Sequence, residues 1–449
     1  MLKISFFGGA QEVTGSCFLF ENESQDGKTK ILVDCGLFQT PKFSDPRSKD
    51  PFPFNPAEIN ALFVTHAHID HTGRIPKLVK DGFRGKIYST APTRELSELM
   101  LIDSLGVLEK ETGQAFYGEE DIADAFGLWD PLEYHKEKKV GNFAVSLFNS
   151  GHVLGSSMVQ ISTEGKKIVV TGDLGNPPTP LLSDPESIKG VTHLLIESTY
   201  GGRTHENRAE RKTKLERVIE DTIKAGGVLM IPAFSLERTQ ELLFEINDLV
   251  ESGRIPEVPI FLDSPLAIKA TAIYKKYEKY FNKDANDRIK SGDDLFRFPG
   301  LKFTLTTEES KTINEVPAPK IVIAGSGMSN GGRIIHHERR YLQDPKSTLL
   351  LIGYQAAGSL GRIIQDGATE VTILGEPVRV RAKVAVLTGY SAHPDMEGLF
   401  NFVKKVSDGL EKVFVLQGEP EGELFFVQRL RDYLGLEAIA PHYGESYEL

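Results

Sequence analysis

The feature that most constrains the fold is a series of short apolar runs, each soon followed by a polar residue. The runs are Ile31–Val33, Ala61–Val64, Ala144–Phe148, Lys167–Val170 and His193–Ile196. The polar residues that follow them are Asp34, His66, His152, Asp173 and Glu197. Apolar runs of this length predict buried β-strands. Because strand ends meet at one edge of a sheet, we expect these polar side chains to converge there.

The pattern changes from about residue 205, where helices and strands are predicted to alternate. The strand candidates are Val228–Pro232, Pro259–Leu262, Ile321–Ile323 and Thr348–Ile352. The stretch Leu236–Ser252 between the first two predicts a helix. This alternation is typical of βαβ units on a parallel sheet and therefore predicts a second α/β domain. Thr72–Asp81 predicts a short helix ended by Gly82, and short strands and turns are expected again from about Val380.

Composition limits the compartment and the class of partner. No run approaches the 18 apolar residues of a membrane span, and the N-terminus lacks the pattern of a signal peptide, so we expect no membrane association. Two cysteines, Cys17 and Cys35, are too few for a disulfide framework and indicate a reducing cytoplasm. The net charge of −11 argues against indiscriminate nucleic-acid binding. Affinity for nucleic acid would have to come from a local basic channel or from bound cations.

The densest group of potential metal ligands lies in Thr65–His71. It consists of His66, His68, Asp70 and His71. Three imidazoles with a carboxylate form a donor set that suits Zn²⁺. In a tight loop, the first two histidines can point one way while the aspartate and the last histidine point another, so the segment could serve two ions. The alternative is a solvated polar loop without a ligand role.

Two further residues become ligand candidates beside this segment. His152 lies in the glycine-containing turn Ser150–Ser156, and Asp173 lies in Thr171–Gly175. Alone, each is typical of a turn or a helix cap, but the histidine cluster favours a ligand role for both. Asp34, at another strand end, could orient a ligating imidazole from the second shell of a metal site.

These motifs together resemble the ordered motifs of the metallo-β-lactamase superfamily. Glu197 in Ile196–Gly201 and His393 in Ser391–Asp395 resemble the first two added motifs of its β-CASP branch, which processes nucleic acids. The resemblance implies an α/β fold, an αββα sandwich with an inserted β-CASP α/β domain. The implied boundaries are 1–204 and 386–449 for the metallo-β-lactamase domain and 205–385 for the insert.

The resemblance also implies roles at the site. One zinc ion would take His66, His68 and His152, and a second would take Asp70 and His71, with Asp173 bridging the two. Asp70 and Asp173 would thereby also serve catalysis, and His393, held by Glu197, would protonate the leaving oxygen of a phosphodiester. The alternatives are a strand-end salt bridge for Glu197 and a turn role for His393.

This sequence departs from the family pattern at the third added motif. RNA-processing members have histidine there and DNA-repair members such as Artemis have valine, whereas this chain has Gln417 in Val415–Glu419. An amide oxygen is a weak, hard ligand, so the second ion could be weakly held zinc, Mn²⁺ or Mg²⁺. The departure also leaves the choice between RNA and DNA open.

A phosphate-binding region is expected in the second domain. Ser326, Gly327 and Met328, followed by Arg333, resemble a backbone-amide cradle with an arginine beside it. Further candidates for contact with phosphate or RNA are Ser264, Arg362 and Ser391. A purely structural glycine-rich turn is the alternative.

The implied activity is zinc-dependent hydrolysis of RNA by an endo- or exoribonuclease, with single-stranded DNA as a further potential substrate. The alternatives are a DNA nuclease of the same branch, a small-molecule metallo-hydrolase and a non-catalytic scaffold. The insert and the Glu197–His393 pair argue against the second, and retention of the other ligands argues against the third. From the resemblance we expect neither the N-terminal RNA-binding extension of archaeal relatives nor the C-terminal domain of ribonuclease J. We therefore expect a stand-alone nuclease, with a homodimer among the assemblies it could form.

Overall fold

The computed structural model describes residues 2–24, 27–40, 44–113, 115–206 and 208–449. The chain forms two compact units. The first contains residues 1–177, 183–204 and 393–449, and the second contains residues 178–182 and 205–392. No helix within the described ranges combines the length and the apolar character needed to cross a bilayer.

The strands and α-helices are numbered in chain order. The strands are β1 Leu2–Phe6, β2 Phe18–Ser24, β3 Gly27–Val33, β4 Ala61–Phe63, β5 Lys86–Ser89, β6 Trp129–Pro131, β7 Glu137–Val140, β8 Phe143–Asn149, β9 Ser157–Thr163, β10 Lys166–Val170, β11 His193–Glu197, β12 Val228–Pro232, β13 Ile260–Leu262, β14 Leu301–Phe303, β15 Lys320–Ala324, β16 Thr348–Ile352, β17 Glu370–Ile373, β18 Glu376–Arg379, β19 Lys383–Leu387, β20 Lys412–Leu416, β21 Ala438–Ile439 and β22 Ser446–Glu448. The helices are α1 Ile69–Thr72, α2 Ile75–Lys80, α3 Ala91–Thr112, α4 Glu119–Gly127, α5 Arg211–Ala225, α6 Arg238–Glu251, α7 Pro265–Lys276, α8 Lys283–Lys290, α9 Thr307–Thr312, α10 Ile334–Tyr341, α11 Leu360–Gln365, α12 Met396–Val406 and α13 Pro420–Leu434.

The first unit is a sandwich of two mixed sheets. Their strand orders are β22-β1-β2-β3-β4-β5-β6 and β21-β20-β11-β10-β9-β8-β7. Apolar side chains from both sheets, among them Phe63 and Val170, form one buried core between them. Helices α2 to α4 pack on the outer face of the first sheet, and α12 and α13 pack on the outer face of the second. This is the αββα arrangement that the family resemblance implies.

The second unit is built on a parallel sheet. Its order is β14-β13-β15-β12-β16-β19, and all of its neighbouring strands run parallel. Strands β12, β15 and β16 are buried along their whole length, as expected when both faces of a parallel sheet are covered. The predicted α/β character of this part of the chain is confirmed.

Two local predictions differ from the structure. The helix predicted over Thr72–Asp81 is divided between α1 and α2, because the chain turns at Gly73 and Arg74, whose backbone N–H donates to Cys35. The prediction of short strands and turns after Val380 is wrong for α12 and α13. Their apolar faces pack against the second sheet of the sandwich, and this tertiary burial stabilises both helices.

Candidate metal and active site

The polar residues at the strand ends lie together in the first unit. Asp34 follows β3 directly, and Glu197 is the last residue of β11. Strand β3 is a parallel neighbour of β4, which precedes His66, and β10, which precedes Asp173, is a parallel neighbour of β11. Parallel neighbours present their carboxyl ends at the same edge. The predicted convergence of these side chains is therefore observed.

Four donor atoms form the first ligand set. Nδ1 of His68 lies 3.0 Å from Nε2 of His66 and 3.3 Å from Nε2 of His152. Oδ2 of Asp173 lies 3.4 Å from the Nε2 atoms of both His66 and His152. These four residues offer ligand atoms that all fall within 4.8 Å of one another. Three imidazole nitrogens and a carboxylate oxygen thus face a common point.

The spacing of these donors fits a zinc ion. With Zn–N distances of about 2.0–2.1 Å, the edge of a tetrahedron of ligands is about 3.3–3.4 Å. Four of the six separations between these donor atoms run from 3.0 to 3.4 Å, and all six are within 4.8 Å. Burial lowers the pKa of His68 well below its ordinary value, and the neighbouring His66 lowers it further. Burial also lowers the pKa of His152 well below its ordinary value, although Asp173 opposes this shift. Both rings are therefore neutral, which is the form that binds metal.

Asp34 and Thr65 fix which nitrogen of two rings faces the donors. Nδ1 of His71 lies 2.7 Å from Oδ2 of Asp34, so this nitrogen carries the proton and Nε2 is free to ligate. The Thr65 hydroxyl donates its single hydrogen to Asp34 at 2.8 Å, so it must accept from Nδ1 of His66 at 3.1 Å. Asp34 thus has the contact expected of a second-shell carboxylate.

A second ligand set shares Asp173 with the first. Nε2 of His71 lies 3.3 Å from Oδ1 of Asp173 and 3.8 Å from Oδ2 of Asp70. The two oxygens of Asp173 therefore face different sets, as a bridging carboxylate requires. Burial opposes protonation of His71, but Asp173, Asp34 and Asp70 together hold its pKa well above the ordinary value. The negative charge that produces this shift would equally attract a cation.

Gln417 lies beside the second set. Its amide nitrogen is 2.9 Å from Oδ1 of Asp173 and 3.0 Å from Nε2 of His71. In this orientation the amide presents a donor rather than an oxygen ligand. The residue is buried and has a left-handed backbone, with φ of 54°. The structure thus brings Gln417 to the second set, and its role as a metal ligand stays a prediction.

His393 and Glu197 form a pair next to the ligand cluster. Nδ1 of His393 is 3.0 Å from each carboxylate oxygen of Glu197, and Nε2 points toward Oδ2 of Asp173 at 3.9 Å. Glu197 is fully buried and also accepts the backbone N–H of Leu174. Burial alone would lower the pKa of His393, but Glu197 and the nearby aspartates outweigh it and raise the pKa to about 9. A protonated imidazole therefore faces the donors.

The predicted phosphate-binding residues all lie in the second unit. Ser264 caps α7, and its hydroxyl accepts the N–H of Ala267. Ser326 accepts the N–H of Asn330, and the carbonyls of Gly327 and Met328 accept from Gln355 and Gly361. These polar groups therefore already have partners within the protein. The phosphate-binding roles of the four residues stay predictions.

The two arginines and Ser391 also have partners within the protein. The guanidinium of Arg333 donates to Asp263 at 2.7 Å and to the carbonyls of Thr304 and Leu305. Arg362 in α11 pairs with Asp366, the residue that follows this helix, and the carbonyl of Ser391 accepts from Arg208. To bind phosphate, Arg333 would have to give up bonds that also neutralise a fully buried aspartate.

Thr65 is a functional residue that sequence reasoning missed. Its N–H and hydroxyl both donate to Asp34, at 2.8 Å each. It thereby connects Asp34 to Nδ1 of His66 through one hydroxyl group. The available signal was its position between strand β4 and the histidine segment, where a hydroxyl can reach both neighbours.

Three families match successive parts of the chain. Residues 10–232 match the metallo-beta-lactamase superfamily, and residues 239–364 match the Beta-Casp domain. Residues 377–441 match the Zn-dependent metallo-hydrolase RNA specificity domain.

Several characterised proteins are similar over nearly the whole chain. Ribonuclease TTHA0252 of Thermus thermophilus is 37% identical over 445 residues, covering 99% of both chains. An RNase J-like protein of Methanocaldococcus jannaschii is 34% identical and is also covered to 99% on both sides. Transcription termination factor FttA of Methanosarcina mazei is 33% identical, covering 93% of this chain and 67% of that protein. A crystal structure of a protein of unknown function from Enterococcus faecalis V583 has a TM-score of 0.59 at 13% identity over all of both chains, and so shares the fold.

Proposed function

The chain belongs to the β-CASP branch of the metallo-β-lactamase superfamily, and from that premise we propose that it hydrolyses phosphodiester bonds in RNA. The names of the ribonuclease of Thermus thermophilus and of the RNase J-like protein support RNA as the substrate. The match to an RNA specificity domain supports it as well. As a member of this superfamily, the chain is a metal-dependent hydrolase.

One observation carries the proposal, the placement of His393 between Glu197 and Asp173. Cleavage of a phosphodiester leaves an alkoxide that needs a proton. With Nδ1 bonded to Glu197 and the pKa raised to about 9, His393 carries that proton on Nε2 at neutral pH. Hydrolysis of a thioester has less need of such a donor, because the thiolate that leaves is a weaker base than an alkoxide.

We propose zinc as the ion, because the first donor set is rich in imidazole. His66, His68 and His152 with Asp173 would hold one ion, and Asp70 and His71 with the other oxygen of Asp173 would hold a second. Bound zinc would supply Lewis acidity, which lowers the pKa of water and offsets charge on the phosphoryl group. The chain itself orients the ligands through Asp34 and holds the transferable proton on His393.

A cytoplasmic location is part of the proposal. Its support is that Cys17 and Cys35 are both buried free thiols, as is usual in a reducing compartment.

The test combines metal analysis with nuclease assays on the purified full chain. We expect bound zinc and cleavage of end-labelled RNA that stops on chelation and returns when zinc is restored. Single-stranded DNA of the same sequence serves as the comparison substrate, and we expect it to be cut more slowly. A metal-loaded protein that leaves RNA intact, or that cuts only DNA, would overturn the proposal.

A further inference from the structure

A fully buried carboxyl group contacts the turn that carries Gln417, and the site described above does not use it. Glu423, in the first turn of α13, has no exposed surface. Its Oε1 atom accepts two backbone N–H groups, from Gly418 at 3.1 Å and from Gln11 at 3.2 Å. Its Oε2 atom is also buried and has no hydrogen-bond partner among the described residues. A buried polar group that is only partly satisfied costs stability, so its presence calls for an explanation.

The two N–H groups come from two separate turns, which Glu423 thereby connects. Gln417, directly before Gly418, and Gln11 both have a left-handed backbone, with φ of 54° and 57°. Residues other than glycine rarely adopt this conformation, and it persists where the surrounding structure holds it. One turn follows β20, and the other lies between β1 and β2. Glu423 therefore fixes one turn against the other.

Two further hydrogen bonds hold the backbone of Gln417. Its N–H donates to the carbonyl of Gly9 at 2.8 Å, and its carbonyl accepts from the Thr199 hydroxyl at 3.2 Å. A Cβ atom on Gly9 would lie 3.2 Å from Cγ of Gln417, so the side chain has little room to move on that side. Together with the bond from the following N–H to Glu423, these contacts set the direction in which the side chain of Gln417 leaves the backbone. All of these residues belong to the first unit.

That direction places the carboxamide of Gln417 against Asp173. The amide nitrogen donates to Oδ1 of Asp173 at 2.9 Å. A carboxylate oxygen only accepts hydrogen bonds, so it must face the NH₂ end of the amide. Oδ2 of Asp173 is left directed at His66 and His152 in the first donor set. Outer partners of this kind fix the orientation of a ligating group.

We propose that Glu423 is a positioning residue for the first zinc site, acting through Gln417 on Asp173. By holding the turn, Glu423 keeps the amide on Oδ1, and the amide keeps Oδ2 in the orientation that the first donor set needs. This inference rests on the proposed zinc binding at that set, and it gives Gln417 a role that requires no ligand atom. If Glu423 instead only stabilised the two turns, its loss would lower stability without changing zinc affinity.

The first experiment measures the affinity of the purified full chain for its first zinc ion, by competition with a fluorescent chelator. Loss of an outer partner of a ligand typically costs about 10–100-fold in metal affinity. We expect Glu423→Leu, which removes the acceptor of both N–H groups, to weaken zinc binding about tenfold. Wild-type affinity in a folded Glu423→Leu variant would overturn the proposal.

A conservative variant and a matched control accompany this measurement. Burial outweighs the two N–H donors and raises the pKa of Glu423 to about 8, so the carboxyl group is mostly uncharged at pH 7. Glu423→Gln keeps an uncharged acceptor of similar shape and should bind zinc within about twofold of the wild type. Glu421→Leu makes the leucine substitution at an exposed residue of the same helical turn and should bind zinc normally. A loss in Glu421→Leu equal to that in Glu423→Leu would contradict the positioning role.

A double variant tests whether Glu423 acts through Gln417. Gln417→Met removes the amide and should itself weaken binding of the first zinc ion about tenfold. Adding Glu423→Leu should then cause no further loss, because no amide is left to position. Losses that multiply to about a hundredfold would show that the two residues act independently, and the proposal would be wrong.

Thr199→Val decides the question if Glu423→Leu does not fold, as judged by thermal melting. It removes the hydrogen bond to the carbonyl of Gln417 while retaining the shape of the side chain, and we expect zinc binding about threefold weaker. Unchanged zinc affinity in Thr199→Val would in that case overturn the proposal. Wild-type protein that binds no zinc refutes the proposed metal site itself. Wild-type protein that binds zinc, with folded variants that bind it equally well, refutes only the role of Glu423.

Discussion

The side-chain amide of Gln417 donates a hydrogen bond to Oδ1 of Asp173 across 2.9 Å. The same nitrogen lies 3.0 Å from Nε2 of His71. The nitrogen of an amide NH₂ group has no lone pair available for a metal ion. In this orientation Gln417 therefore lies beside the donor atoms but supplies no ligand atom. The two donor sets that share Asp173 are therefore chemically unequal.

Gln417→His should raise zinc occupancy of the second site. An imidazole nitrogen binds zinc better than an amide does. Titrating zinc into apo protein should reveal one tight and one weaker site in the wild type, and two tight sites in the variant. Gln417→Met, which has similar length but a poor ligand, is the control and should leave the second site weak. Two equally tight wild-type sites that the histidine leaves unchanged would show that this position contributes little to metal binding.

His393→Ala should slow RNA cleavage by about 10²–10⁴-fold, because it removes the proton donor to the leaving oxygen. Zinc content should stay at the wild-type level, since His393 bonds Glu197 rather than serving as a ligand. His442→Ala, at an exposed histidine, is the control and should cleave normally. An unaltered rate for His393→Ala would remove His393 from the mechanism, and loss of zinc would reassign it as a ligand.

Glu197→Gln should shift the pH profile of RNA cleavage. Burial lowers the pKa of His393, but the Glu197 carboxylate outweighs it and raises the pKa to about 9. A general acid works only while protonated, so activity should persist below this pKa and fall as the pH rises through it. Removing the negative charge lowers the pKa of His393, and the alkaline limb of kcat/KM against pH should move to lower pH. Glu197→Asp retains the charge and should move it less. A limb that stays at the same pH in Glu197→Gln would contradict the pairing.

Glu338→Gln should stabilise the protein at pH 8 more than at pH 5. Burial raises the pKa of Glu338 to about 8, against a hydrogen bond from Ser329 that lowers it. The unfolded chain releases this proton near its ordinary pKa of 4.5, whereas the folded protein retains it to about 8. Stability therefore falls as the pH rises between these two values, and the neutral amide avoids that loss.

Melting temperatures of wild type and variant at the two pH values measure this effect. Glu257→Gln makes the same change at an exposed residue and serves as the control. We expect it to change the melting temperature only slightly, and by the same amount at pH 5 and at pH 8. A Glu338→Gln difference that is the same at pH 5 and pH 8 would show that the carboxyl group does not titrate as described.

Elements with a local signal are predictable from the amino-acid sequence alone. The segment His66–His71 concentrates its ligands within six residues, and the apolar runs before Asp34, Asp173 and Glu197 mark strand ends directly. The alternation after residue 205 likewise predicts a parallel sheet, which is observed. The sequence prediction does not include helices α12 and α13, because they are stabilised by packing against the second sheet of the sandwich, which depends on residues distant in the chain.

Which atoms face one another depends on tertiary packing. Glu197 and His393 are separated by 196 positions, and their distance of 3.0 Å follows from how the strands of the first unit are brought together. The same packing directs the two oxygens of Asp173 to different donor sets and turns the amide nitrogen of Gln417 toward it. A sequence pattern specifies which donors are present and which strands carry them. Their separation and orientation depend on side-chain rotamers fixed by burial among residues distant in the chain, and no local pattern encodes those.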